Sequence, residues 1–481
     1  MPTGWEAVIG LEVHAQLLTR GKMFCRCGAD YAAAAPNTRV CPVCLGLPGA
    51  LPVINRKAIE LTIRTGLALG SEIADFTRFD RKNYFYPDLM KGYQISQYEF
   101  PLCVGGRLPF VFGGEDRTAG ITRVHLEEDT AKHSDRDGEG GAFSLIDVNR
   151  AGVPLIEIVG EPDLRAPDEA REYLRALRGI LRYIGASTGN MDEGALRCDA
   201  NVSVRRHEQS TYGTKVEIKN MNSFRSVSSA VAFEIGRQIA IIEAGGSITQ
   251  ETRGWDDTRG VTVGQRSKEY AHDYRYFPEP DLPPIRPSAT WVNEIRQAMP
   301  ELPAARRRRY VQELGLSPYD AALLSGEREY AEFFDAAIQE CSNAKGVANW
   351  MNGDLRRLLG ERTIEESAIS PGSLASLVKL VDGGEVNRGQ AQAIIEVLCQ
   401  RGGDAAEIAH ERGFRQVSDE SAIGAAIEAA IAGNPKSVAD FRAGRSQAMG
   451  FLVGQVMKAM RGHANPAVVN RLLSERLSRS D

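Results

Sequence analysis

The sequence lacks the standard loops for holding a nucleotide. It contains no Gly-x-x-x-x-Gly-Lys-Ser/Thr run and no Gly-x-Gly-x-x-Gly between a strand and a helix. Neither of the common glycine-rich phosphate cradles is therefore present. The His-Glu-x-x-His signature of zinc proteases is missing, and no amidase-type Ser–Ser–Lys or glutaminase-type Cys–His site is evident. No apolar run approaches the ~20 residues that span a bilayer. The opening MPTGWEAVIGLEVH moves straight into strand-like sequence without a charged-then-apolar leader. Tandem repeats and low-complexity tracts are absent. The net charge of −5 excludes coating of nucleic acid through bulk charge, while leaving room for a local basic surface. These absences lead us to expect a cytoplasmic chain with no membrane contact.

What is present is an ordinary globular composition, 43% hydrophobic and 25% charged over 481 residues, too long for one core. Up to about Pro287, short alternating segments broken by Gly, Pro and Asn read as sheet. Two helices interrupt it, Arg56 to Gly70 and Pro167 to Ala186. The second has Asp168 near its start and Gly185 near its end, as dipole and cap preferences favour. The proline-rich DLPPIRP (Asp281 to Pro287) marks a hinge. Beyond it, apolar residues recur at helical spacing, and a further shift falls near Gly402. We therefore expect an α+β protein: a largely antiparallel β-sheet cradle with inserted helices over 1–287, then two all-α domains over 288–402 and 403–481. From Pro435 to Asp481 there are eight Lys/Arg against three Asp/Glu, so the last segment is basic.

Four of the eight cysteines, Cys25, Cys27, Cys41 and Cys44, form Cys-x-Cys-x13-Cys-x-x-Cys. Two close pairs suit a tetrahedral ion with sulfurs at about 2.3 Å. Gly28, Pro42 and Gly46 would shape the turns. Four sulfurs leave no open coordination position, so a zinc ion there would be a structural staple. Cys103, Cys198, Cys341 and Cys399 are scattered singly, which suits reduced thiols in a cytosol.

Alternation in the strands sorts the polar residues onto single faces. Glu12, His14 and Gln16 oppose Leu11, Val13 and Ala15. His125, Glu127 and Asp129 oppose Val124 and Leu126. Asp199, Asn201 and Ser203 oppose Ala200, Val202 and Val204, and Lys215, Glu217 and Lys219 oppose Val216 and Ile218. Glu157 is one carboxylate inside the apolar run VPLIEIV. A solvated face would favour Thr, Lys and Arg, whereas here Glu, His, Asp and Asn recur. Those are the groups a hard divalent ion requires. Glu12, Glu127 and Glu157 are the candidate Mg²⁺ carboxylates, with His14 as a further ligand or a donor to substrate. Lys215 or Lys219 would offset phosphate charge. Two aromatic clusters, Arg81 to Pro101 (with Tyr84, Tyr86 and Tyr93) and His272 to Asp281, mix Tyr and Phe with basic and amide groups, as platforms for unstacked bases do.

The blocks GLEVHAQL, FDRKNYFYPD, KGYQISQ, HLEEDTAK, NRAGVPLIEIV, GALRCDANVSV, EIKNMNSF and HDYRYFPEPD, with AMGFLVGQVMKAMRGHANP (Ala448 to Pro466), carry a resemblance. Together they resemble the B subunit of the tRNA-dependent aspartyl/glutamyl-tRNA amidotransferase, essentially end to end. The resemblance implies a heterotrimer. An amidase-family A subunit hydrolyses glutamine, a small C subunit supports the assembly, and charged tRNA is held by the B subunit. With ATP and Mg²⁺ the B subunit then phosphorylates the side-chain carboxylate of Glu-tRNA(Gln) or Asp-tRNA(Asn), and ammonia displaces the phosphate. It maps the kinase and Mg²⁺ centre onto Glu12, His14, Glu127 and Glu157, with Asp199, Asn201 and Lys219 in supporting catalytic positions, and supports structural Zn²⁺ at the four cysteines. It places tRNA on Arg442, Arg445, Lys458, Arg461 and Arg471 of the basic tail. The rival reading is a zinc-stapled adaptor that delivers charged tRNA without catalysis. A stand-alone metallohydrolase is a weaker third.

Overall fold

Strict alternation of small or branched apolar residues with polar ones makes the N-terminal part of the chain a sheet, and three amphipathic helices cover its apolar side. The computed structural model describes residues 4–138, 141–267, 274–414, 420–442, 445, 447–460, 464 and 466–478. Contacts divide the chain into two units, Met1–Leu302 and Pro303–Asp481.

The first unit runs β1 (Trp5–Gln16), α1 (Arg56–Ala68), β2 (Glu72–Ile73), β3 (Asp80–Asn83), β4 (Tyr93–Ser96), β5 (Cys103–Val104) and β6 (Arg107–Phe112). It continues with β7 (Glu115–Glu128), β8 (Lys132–Gly138), β9 (Gly141–Asp147), β10 (Pro154–Gly160) and α2 (Pro167–Tyr183). The remainder is β11 (Leu196–Arg206), β12 (Val216–Met221), α3 (Phe224–Glu243), β13 (Glu251–Asp256), β14 (Val261–Ser267), β15 (Phe277–Pro278) and α4 (Ala289–Gln297). Thirteen strands form one sheet whose main path is β14-β13-β12-β11-β1-β10-β7-β4-β3-β15, while β8 and β9 form a separate hairpin. Of the pairings along that path, only β12–β13 is parallel. The architecture is α+β.

The apolar stripes fill the core as alternation requires. Leu11, Val13, Ala15, Val124, Leu126, Ile156, Ile158, Ala200, Val202 and Ile218 are all buried in one cluster shared with the helices. Helix α2 starts at Pro167 with Asp168 and Glu169 in its first turn, and Gly185 at φ +66° ends it. Its Leu174, Leu177 and Leu181 are fully buried, so truncating any one to Ala would cost ~2–5 kcal/mol.

The proline run Asp281–Pro287 does not end this unit. Ile285 bridges to Thr77, Leu282 and Ile295 belong to the first core, and the Arg56 guanidinium sits 4.9 Å over the Trp291 ring of α4. The unit therefore extends to Leu302, past the boundary that the prolines suggested. Prolines forbid helix locally, but burial of α4 against α1 decides membership. The second unit is helical. Its residues from Tyr310 to Ala409 share one core and those from Ile423 to Leu477 another. Among the described residues no helix is long and apolar enough to cross a membrane.

Candidate active site and thiolate cluster

Three adjacent antiparallel strands bring the polar stripes into register. His14 on β1 lies opposite Glu157 on β10, and Glu157 lies opposite His125 on β7. The two imidazoles converge on one carboxylate oxygen: Glu157 Oε2 is 3.3 Å from His14 Nε2 and 3.4 Å from His125 Nε2. Glu127, two residues along β7, places Oε1 3.5 Å from His14 Nε2 and accepts a hydrogen bond from Ser96 Oγ at 3.3 Å. One ligand atom from each of His14, Glu127 and Glu157 lies within 4.8 Å of the others. Oxygen donors with one imidazole suit a hard divalent cation.

Burial and proximity set the charges in this basin. Glu127, only 2% exposed, has its carboxyl raised above the usual range, first by desolvation and then by Glu157, against the pull of His14. Burial would also raise Glu157, but His125 and His14 outweigh it and hold that carboxyl low. For His14, burial works against the proton, yet the hydrogen bond to Glu157 and the charges of Glu127, Glu157 and Asp199 raise it overall. His125 is pushed down to about 4 by burial, with Arg123, His14 and Lys82 adding to the effect. Burial thus favours the neutral form of His125, while the neighbouring carboxylates favour the protonated form of His14.

A second row lies beside the first. Glu12 faces Asp199 across β1–β11 and accepts from Asn201 Nδ2 at 2.8 Å. Its carboxyl is raised by burial and by Glu157, Glu217 and Asp199. Lys219 Nζ donates to Asp199 Oδ2 at 2.6 Å and lies 3.4 Å from Glu217. A bulge makes this reach possible, because the β11–β12 register shifts between Cys198 and Ala200 while Asn220 takes φ +63°. Such an extra residue re-aims its neighbours. Lys215 precedes β12 and is exposed. At the other end of the row, Asp129 accepts from Arg197 Nη2 at 2.6 Å and from Gln16 Nε2 at 2.7 Å.

Of the four residues expected to hold Mg²⁺, His14, Glu127 and Glu157 thus form one close set, while Glu12 stands in the next row with Asn201, Asp199 and Lys219. His125 was legible on the stripe of β7 but not as a member of the set. Only the cross-strand register reveals that it shares Glu157 with His14.

The four cysteines also converge. Cys44 Sγ lies 3.5 Å from Cys25 Sγ, 3.7 Å from Cys41 Sγ and 3.8 Å from Cys27 Sγ, and all four sulfurs lie within 4.8 Å of one another. Sulfurs at about 2.3 Å around a tetrahedral ion would be about 3.8 Å apart, so the cluster has the dimensions of a Cys₄ zinc site. None is in a disulfide. Cys44 is held low, to about 4, by its hydrogen bond with Cys25 and by the Lys22 ammonium, whereas Cys27 is raised to about 11 by burial and its thiol neighbours. Gly46, at φ +64°, closes the second knuckle; a Cβ there would meet Lys91 Cγ at 2.4 Å.

The aromatic residues gather beside the basin. Tyr98 and Tyr276 stack at 4.0 Å with rings 6° apart, and burial together with Glu127 and Glu157 raises the Tyr276 hydroxyl. Tyr84 meets Tyr274 edge-on at 6.0 Å, Tyr86 is exposed, and Arg81 caps the Tyr93 ring at 4.2 Å. In the tail, Arg445 pairs with Asp440 and Arg471 with Glu475, and Lys458 is exposed. Arg442 ends the helix Pro435–Arg442; Arg461 and the start of the His272–Asp281 block lie outside the described residues. Gly185–Gly189 spells Gly-x-Ser-x-Gly, but Ser187 follows a helix and precedes a strand. A nucleophile elbow has the opposite order.

Comparison with known proteins shows the family. The family described as the GatB/GatE catalytic domain matches residues 7–293, and the GatB domain matches residues 332–477. The chain is 55% identical to the B subunit of the aspartyl/glutamyl-tRNA(Asn/Gln) amidotransferase of Thermomicrobium roseum, over 98% of this chain and 99% of that relative. It is 52% identical to the protein of that name from Moorella thermoacetica, over 98% and 100%, and 53% identical to that from Anaeromyxobacter dehalogenans, over 98% and 99%.

Proposed function

The chain belongs to the GatB/GatE family, and from that premise we propose that it is the tRNA-binding, carboxylate-activating subunit of an ATP-dependent amidotransferase. It takes Glu-tRNA(Gln), Asp-tRNA(Asn) or both, and works with an amidase-family A subunit that releases ammonia from glutamine and a small C subunit. The observation that carries this reading is the close set of His14, Glu127 and Glu157 on the half-buried polar face of the sheet.

The chemistry explains why such a set is needed. A carboxylate resists amine attack because no good leaving group is present. Attack of a side-chain carboxylate oxygen on the γ-phosphorus of ATP releases ADP and gives an acyl phosphate. Ammonia then adds to the acyl carbon, inorganic phosphate leaves, and a proton is lost to a base. Mg²⁺ held by Glu127, Glu157 and His14 would offset charge on the phosphate oxygens. Lys219, kept in place by Asp199 and Glu217, would face the same anionic ligand. His14 would give up its Nε2 proton to ligate the ion through that nitrogen, and His125, 3.4 Å from Glu157 Oε2, would hold that carboxylate in place. Asn201 orients Glu12. A merely adapting subunit has no use for this arrangement, since burying several ionisable groups lowers stability unless function retains them.

The terminal nucleotides of tRNA would lie along Tyr84, Tyr86 and Tyr93, and its body on the basic tail over 403–481. The four cysteines would hold a structural Zn²⁺. The testing experiment uses the chain assembled with its A and C subunits. ATP should be consumed only when misacylated tRNA is added, and E127Q should abolish that consumption while tRNA still binds. Adaptor behaviour, with ATP use unchanged in E127Q, would overturn the proposal.

A further inference from the structure

Lys22 is a fully buried lysine, and the chemistry of the basin does not use it. Isolated burial of an ammonium is costly unless a compensating charge and acceptors are at hand. Two acceptors are within reach, the Cys44 Sγ at 3.4 Å and the Val148 carbonyl at 3.4 Å. The nearby carboxylate Glu128, packed on the same side of Gly152, is engaged by the Lys91 ammonium. Among the described residues, no carboxylate lies within ion-pair distance of Lys22.

The surroundings join this lysine to both functional regions of the unit. Its backbone N–H donates to the Cys27 carbonyl at 2.9 Å, within the first knuckle. The next residue, Met23, donates to the Gly152 carbonyl at 2.6 Å, and Gly152 donates to the Asp129 carbonyl at 2.9 Å. The Arg150 guanidinium holds the Thr130 and Ala131 carbonyls at 2.9 and 2.8 Å. The turn from Val148 to Val153 is therefore clasped between the cysteine cluster and the Asp129–Ala131 segment that follows β7, which begins two residues beyond Glu127.

We propose that Lys22 is the buried counter-charge of the cysteine centre, a positioning residue outside the ligand set that stabilises the bound tetrathiolate and ties it to the Val148–Val153 turn. This rests on the reading of the four cysteines as a zinc site. Four thiolates around a divalent ion keep two negative charges, and in a partly buried site that excess favours loss of a ligand. An ammonium donating to Cys44 offsets one of those charges, and its second hydrogen bond fixes where it points. Outer groups that orient a ligand typically change metal affinity ~10–100-fold when removed.

The test uses the full chain loaded with Zn²⁺ and follows release to a chromogenic chelator. K22M removes charge and donor, and should release zinc about 10–100 times faster than the parent chain. K22Q keeps a donor without the charge and should fall between them; it also serves if K22M fails to fold. After Co²⁺ substitution, both variants should keep tetrahedral ligand-field bands while the sulfur-to-cobalt charge-transfer band moves, which a packing defect alone would not cause. Release rates and charge-transfer energies equal to those of the parent chain in both variants would overturn the proposal. A parent chain that binds neither Zn²⁺ nor Co²⁺ would overturn the zinc reading itself.

Discussion

Replacing Glu157 with Gln keeps the shape of the side chain and removes its charge, at the one oxygen both imidazoles share. The contacts are 3.3 Å to His14 and 3.4 Å to His125. A hydrogen bond to a charged group contributes ~1.5–3 kcal/mol, and the His14 contact, long for such a bond, falls at the lower end. Losing the acceptor charge should therefore cost roughly 1.5 kcal/mol, about one power of ten in rate. We expect E157Q to lower ATP-dependent amidation by the assembled complex about tenfold. The same change should lower the His14 titration midpoint, because burial pushes that imidazole down and the Glu157 hydrogen bond is the foremost group holding it up. Amidation assays with misacylated tRNA and imidazole NMR titrations read the two effects separately. A variant with parental turnover and an unmoved His14 midpoint would refute the reasoning.

Cation binding should strengthen with pH, since the carboxyls of Glu12 and Glu127 and the imidazole of His14 are all raised and an incoming ion must displace their protons. Mn²⁺ titrations by electron paramagnetic resonance should give tighter binding at pH 8 than at pH 6; equal affinity would count against the set as a cation site. C44S should lower zinc stoichiometry and cut thermal stability by several degrees, read by metal analysis and calorimetry, whereas C399S should leave zinc content unchanged because Cys399 is buried in the helical unit. Removing Lys458 and Arg471 together should weaken tRNA binding and reduce the slope of log affinity against log salt by ~1–2, at ~0.7–0.9 per lost phosphate contact. An unchanged slope would move the tRNA contact away from these side chains.

The extent to which the chain could be read without coordinates follows from what is local. Alternation in β1, β7 and β11 is a two-residue property, so the polar faces holding Glu12, His14, Glu127 and Asp199 were legible. The cysteine pairs were legible for the same reason, because each knuckle is a few residues long. The choice of partners across the sheet was not legible. Glu157 faces His14 and His125 through pairings between strands far apart in sequence, and nothing local distinguishes His125 from Glu12 as a neighbour of that carboxylate. Lys22 looks like any surface lysine in GKMF until the turn from Val148 to Val153 closes over it. The boundary after Pro287 failed on similar grounds, because the prolines announce a local break while Trp291 and Ile295 pack back onto the first core.

The central claim is that the sheet face activates a side-chain carboxylate by phosphoryl transfer. It is tested most directly by misacylated tRNA carrying ¹⁸O in both oxygens of that carboxylate, incubated with the complete complex, ATP and glutamine. The inorganic phosphate released should carry one ¹⁸O per amide formed, and E127Q should yield neither product. Unlabelled phosphate accompanying full amidation would contradict it.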